Sequence, residues 1–181
     1  MRVVGGKYRS RILEWPDDTA HIRPTKDRIR EAIFNAIGDL TGLVSLDLYA
    51  GSGAMGIEAL SRNSSKAFFV DINPVALKTT KKNIFNLKIA QDEFEVLAMP
   101  DVQAIEYLHK KNEKLDVVFI DPPYKEGKYQ EIVDLLIQNE LLSDNAIIVI
   151  EADRPIVVDE SSFSRRRDYK YGEINVAILW R

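Results

Sequence analysis

Leu115-Asp116-Val117-Val118-Phe119-Ile120-Asp121-Pro122-Pro123-Tyr124 is an apolar run that stops abruptly in an acid, two prolines and an aromatic ring. β-Branched and aromatic residues in one unbroken run read as a buried parallel strand. Proline fixes φ and has no backbone N–H, so the strand ends here and delivers a rigid loop at its carboxyl end. Open α/β sheets bind their ligands at that end.

The loop's chemistry suits a planar amino group. An exocyclic NH2 on a nucleobase has two donors and needs two acceptors, which the Asp121 carboxylate and the Pro122 carbonyl supply. The Tyr124 ring adds a face on which a base can stack. Asp and Pro are also common turn formers, so a plain strand-end turn is the competing reading.

Working outward, a second motif lies upstream. Leu43 to Ala50 reads as the first central strand and runs into Gly51-Ser52-Gly53-Ala54-Met55-Gly56, then a helical stretch. This is G-x-G-x-x-G between a strand and a helix, where backbone can approach a ligand and the helix N-terminus faces it. Asp71, twenty positions after Gly51, ends the strand Lys66 to Asp71, where a carboxylate can accept both ribose hydroxyls. Dinucleotides and S-adenosylmethionine both use such a pattern. Asp47, four positions before Gly51, favours the second, because its charge would repel a pyrophosphate and suit a cationic methionine end. A purely structural strand acid is the alternative, although a buried carboxylate is costly unless paired.

The remaining chain alternates. Pro74 to Leu87, Val102 to Lys111 and Lys128 to Asn139 read as helices, and Phe94 to Leu97 and Ala146 to Glu151 as strands, which predicts a doubly wound, mainly parallel sheet. Phe163 to Tyr171 and Ile174 to Trp180 are β-type runs joined by Gly172-Glu173, a hairpin signature. Lys26 to Ile37 reads as a helix capped by Thr25, with Ile29, Ala32, Ile33, Ala36 and Ile37 on one apolar face; Arg28, Arg30, Glu31 and Asn35 lie off that stripe and carry no assigned role. Residues 1–22 read as an irregular arm or hairpin, and 23–181 as one compact domain. Lys7, Arg9 and Arg11 would share one side of an extended segment in that arm.

Composition narrows the chemistry. With no cysteine, disulfides and cysteine nucleophiles are excluded, and two distant histidines make a histidine metal site a poor expectation. The net charge of -3 excludes a polycation. Basic residues still cluster between Met1 and Arg30 and at Arg165-Arg166-Arg167 with Lys170, as a protein gripping phosphates requires, although a solvated face is the commoner meaning of one cluster. No apolar run is long enough to span a bilayer and no cationic-then-apolar leader opens the chain, so a cytoplasmic location is the expectation.

Asp47 to Leu60, Asp121 to Tyr124 and Arg23-Pro24-Thr25 to Asn35 together resemble the bacterial family that methylates a guanine N2 in 16S ribosomal RNA. The likeness extends from Arg2-Val3-Val4-Gly5-Gly6-Lys7 to the final hairpin. It implies a Rossmann-like class I methyltransferase, an α/β fold with a seven-stranded, mostly parallel sheet and a C-terminal antiparallel hairpin. It implies S-adenosylmethionine as cofactor, with Gly51, Ser52, Gly53 and Asp47 at its methionine part, Asp71 at its ribose and Asp101 near its adenine amine; Asp101 could equally cap a helix. Asp121, Pro122 and Tyr124 would carry catalysis. Lys7, Arg9, Arg11, Arg23 and Thr25 would face RNA in an assembling 30S subunit, with the protein acting as a monomer and without a metal. The alternatives are an adenine-N6 or other amino methyltransferase, a non-catalytic RNA-binding assembly module and, further off, a dinucleotide oxidoreductase.

Overall fold

A computed structural model describes residues 1–16, 27–122 and 128–181. The strands are β1 (Val44–Leu48), β2 (Lys66–Asp71), β3 (Phe94–Ala98), β4 (Leu115–Ile120), β5 (Leu142–Ala152), β6 (Arg165–Tyr171) and β7 (Ile174–Trp180). The helices are α1 (Asp27–Ile37), α2 (Ala54–Ser61), α3 (Pro74–Leu87), α4 (Asp101–Lys110) and α5 (Tyr129–Gln138). All seven strands form one sheet in the order β3-β2-β1-β4-β5-β7-β6, with β7 antiparallel to both of its neighbours and the other pairs parallel. This is the expected class I methyltransferase topology.

Period-two alternation sends each central strand's side chains to two cores. Leu46, Leu48, Val118, Ile120, Ile148 and Ile150 pack on one face with α4 and α5. Val117, Phe119, Val149, Val176 and Ile178 pack on the other with Ile29, Ile33, Phe34 and Ile37 of α1. The strand order reverses between β1 and β4, so their carboxyl ends flank the crevice where such sheets bind ligands.

Two expectations are corrected. Strand β5 begins at Leu142, not Ala146, because the exposed residues Asp144 and Asn145 form an irregularity between the Leu115–Leu142 and Val117–Ile147 pairs. The arm is also not extended at Lys7: Gly6–Tyr8 is a 3-10 turn, and Arg2 and Ile12 on either side of it make a β-bridge. Gly6 has φ 71, and a Cβ there would lie 1.7 Å from the Ser61 carbonyl oxygen, so the chain turns where only glycine fits.

The first sixteen residues are fastened to the body. Val3 and Leu13 are buried in a third core cluster with Ile57, Leu60 and Ile84. Val4 N–H donates to Glu58 Oε2 at 2.8 Å, Tyr8 N–H to Ser61 Oγ at 2.9 Å, and Glu14 N–H to Asn83 Oδ1 at 2.8 Å. Among the described residues no helix is long and apolar enough to cross a membrane.

Candidate active site at the carboxyl edge of the sheet

The glycine loop leaves β1 and is held from three sides. Gly51 N–H donates to Asp71 Oδ2 at 2.8 Å, which ties the loop to the end of β2. Thr80 Oγ1 donates to the Gly51 carbonyl and Asn83 Nδ2 to the Ser52 carbonyl, each at 2.9 Å, which ties it to α3. Gly56 N–H donates to Asp47 Oδ2 at 2.9 Å, fastening the first turn of α2 to β1. Each glycine meets a specific demand. Gly53 has φ 78 at the helix start, and a Cβ at Gly56 would lie 2.4 Å from the Phe69 ring, so glycine lets α2 close on the sheet.

Asn83 was not anticipated from the sequence. Besides Ser52, its amide bonds the Glu14 backbone in both directions, at 2.8 and 3.0 Å, so one buried side chain links the arm to the loop. An Asn within a helical pattern carried no signal of this.

Asp71 uses both oxygens on backbone, accepting from Gly51 N–H and from Asn73 N–H at 2.8 Å each, and keeps further lone pairs on both. Asp101 opens α4. Its Oδ1 accepts from Val102 N–H at 2.8 Å and its Oδ2 from the Tyr49 hydroxyl at 2.5 Å, which bridges the end of β1 to α4. Tyr49 takes φ 64, a rare conformation for an aromatic residue, directly before the loop.

Asp47 is 3% exposed and its pKa is pushed up to about 8, chiefly by burial, with the Asp71 charge adding to the rise and the Gly56 hydrogen bond opposing it. Asp121 retains some exposure as a residue, but burial of its carboxyl and then the charges of Glu151 and Asp47 raise its pKa well above the usual carboxylate range. Glu151, buried at the end of β5, is a second residue the sequence reading left without a role. It could have been found as an acid closing an apolar strand, the pattern that marks Asp71 and Asp121. Asp47, Asp121 and Glu151 thus gather three carboxyl groups at the carboxyl ends of β1, β4 and β5, where a bound cation would favour their charged forms. Pro122 is buried beside Asp121. Tyr124, Arg23 and Thr25 lie outside the described residues.

The arm cations stand elsewhere. Lys7 Nζ pairs with Glu93 at 2.7 Å, the Arg11 guanidinium reaches the Asn86 carbonyl at 3.4 Å, and Arg9 and Arg11 are exposed.

A family model described as Conserved hypothetical protein 95 matches residues 1–180. The chain belongs to this family. YlbH of Bacillus subtilis is 36% identical over 181 residues, covering 98% of this chain and 97% of that protein. Ribosomal RNA small subunit methyltransferase D of Escherichia coli is 34% identical over 154 residues, covering 84% of this chain and 75% of the relative. The solved structure of yhhF from Escherichia coli superposes with a TM-score of 0.84 at 32% identity, covering 100% of this chain and 97% of that one. Membership of the family accords with the resemblance seen in the sequence, and the shared fold extends over the arm as well as the sheet.

Proposed function

We propose that the chain transfers a methyl group from S-adenosylmethionine to the exocyclic N2 of a guanine in 16S rRNA. The observation that carries this reading is the meeting, at the switch point of the sheet, of a glycine loop strapped to Asp71 with Asp121-Pro122 at the end of the adjacent strand β4. Family membership and the ribosomal RNA small subunit methyltransferase D relatives support the reaction class and the rRNA substrate.

The residues fit the cofactor. A Cβ at Gly51 would meet only the Tyr49 carbonyl at 3.9 Å, so the outer side of the loop is open, and the buried carboxylates of Asp47, Asp121 and Glu151 complement a cationic ligand. Bound there, S-adenosylmethionine supplies an electrophilic methyl on a sulfonium. Gly51, Ser52, Gly53 and Asp47 would hold its methionine part, Asp71 its ribose through the lone pairs not used on backbone, and Asp101 its adenine amine.

The chain's own work is orientation and proton handling. The Asp121 carboxylate and the Pro122 carbonyl accept the two N–H bonds of the guanine amine and turn its lone pair out of conjugation with the ring. Asp121, whose proton affinity is raised by burial and by Glu151, takes the proton released as N2 gains carbon. Tyr124 stacks on the base, which is presented out of its helix. Arg9 and Arg11 grip phosphates of the assembling 30S subunit, on which the protein works as a cytoplasmic monomer.

The test is transfer of labelled methyl from S-adenosylmethionine to small ribosomal subunits that lack the modification, followed by nucleoside analysis. N2-methylguanosine at one site, abolished in Asp121→Ala, is the expected result. Label recovered as N6-methyladenosine would move the substrate to adenine. Bound cofactor with no transfer to RNA would favour the assembly module.

A further inference from the structure

The C-terminal hairpin continues the candidate site sideways. Glu151 pairs with Val176 across β5 and β7, and Val176 with Tyr169 across β7 and β6. Asp121 follows Ile120, which pairs with Ile150, so Asp121, Glu151, Val176 and Tyr169 stand in one row across four strands. Three strand spacings put Tyr169 about 14 Å from Asp121. Alternation also gives them one face, since Phe119, Val149, Val176 and the partly buried Tyr169 and Tyr171 all pack into the core shared with α1.

On that face the edge strand β6 presents, in order toward the carboxyl edge of the sheet, Arg165, Arg167, Tyr169 and Tyr171. The two tyrosine rings are nearly parallel, 10° apart in plane with centroids 6.3 Å apart. Arg165 lies over the Trp180 ring at 4.6 Å. Arg167 is exposed. The opposite face is different in kind: Arg166 is consumed internally by Asp168 and Glu160, each at 2.8 Å, and by the Ile156 carbonyl, with Lys170 exposed beside it. The Arg165-Arg166-Arg167 run is therefore split by the pleat into two outward cations and one structural one.

The central cluster of Asp47, Asp121 and Glu151 consists of acids and offers a phosphate no cation to pair with, so a nucleic acid whose base enters there must have its backbone held to one side. A sheet face that sets cations beside aromatic rings is what single-stranded nucleic acid requires, because every base has a π-face and every linkage a charge. We propose that the β6 face of Arg165, Arg167, Tyr169 and Tyr171 is a second RNA-binding surface, which receives a single-stranded segment flanking the target nucleotide. This rests on the RNA methyltransferase reading and extends it.

The test measures binding of a fluorescein-labelled single-stranded RNA of about a dozen nucleotides, beside methyl transfer to small-subunit rRNA. Tyr169→Ala with Tyr171→Ala should weaken binding about tenfold or more and raise KM more than it lowers kcat, whereas the paired Phe substitutions should restore both. Because the tyrosines are partly buried, Arg167→Glu, a change at an exposed position, serves as the second variant, and it should weaken binding and flatten its salt dependence. Wild-type binding and KM in Arg167→Glu and in a folded Tyr169→Ala/Tyr171→Ala protein would overturn the surface while leaving the methyltransferase reading intact. Binding lost in these variants, with no transfer to rRNA by the wild type, would uphold the surface and sink that reading.

Discussion

The Arg30 guanidinium lies wholly inside the protein, with its Nε 3.6 Å from Glu58 Oε2, and neither side chain reaches solvent. The pair joins α1 to α2. Arg30 Nη2 also meets Asp27 at 3.0 Å and donates to the Arg2 carbonyl, while Glu58 accepts from Val4 N–H at 2.8 Å and Arg62 Nε at 2.9 Å. One internal ion pair thus fixes two helices and the arm. Removing either partner strands a buried charge, at a cost of about 3–5 kcal/mol. Glu58→Leu and Arg30→Met should each lose about that much in urea unfolding, and the double variant less than their sum. Simple additivity would show that the two charges do not depend on each other.

Gly56 sets how closely α2 lies on the sheet. A methyl group there would stand 2.4 Å from Phe69 Cε1 and 2.8 Å from Cζ, so Gly56→Ala must displace the ring or the helix. The expected loss is about 1–3 kcal/mol, with Phe69→Leu in the same chain returning part of it. Unchanged thermal unfolding of Gly56→Ala would mean that the helix has slack.

The Asp47 carboxyl gives stability a pH signature. Its folded pKa of about 8 exceeds the unfolded value near 4, so the folded state holds the proton more tightly. That contribution is complete below pH ~4 and is lost as pH rises through about 8. Unfolding free energy should therefore fall over this window by a few kcal/mol relative to Asp47→Asn, in which the group is absent. Parallel profiles for the two proteins would assign the titration elsewhere. The same competition between proton and cation predicts that S-adenosylmethionine binds more tightly at about pH 8 than at about pH 6.

Arg9 and Arg11 are exposed on the arm, whereas Lys7 is engaged by Glu93. Reversing both arginines to Glu should lower RNA affinity and reduce the slope of log affinity against log salt by about two, with cofactor affinity unchanged. Lys7→Ala should matter less for RNA, because its charge is already answered. Equal RNA binding by the arginine double variant would remove the arm from the RNA surface.

The order of strands and helices was legible in the chain. An unbroken apolar run ending in Asp121-Pro122, strands of six and seven residues such as Lys66–Asp71 and Ile174–Trp180, and the helix Pro74–Leu87 with Asn73 accepting from Val75 and Ala76 N–H all announce themselves locally. So did the glycine loop, because a turn is a property of neighbouring residues, whereas the hydrogen bond from Gly51 N–H to Asp71 came only with the paired strands. Tertiary structure alone decided which charges meet. Arg30 sits off the apolar stripe of its helix, where arginine is ordinarily exposed, and its burial depends on an acid twenty-eight positions away. Glu151 acquires its place beside Asp121 only because β5 follows β4 in the sheet, and the three consecutive arginines of β6 part company only once the pleat and its neighbours assign each a face. Periodicity encodes burial one element at a time. The electrostatics of the site arises between elements, where strand order and register set the distances.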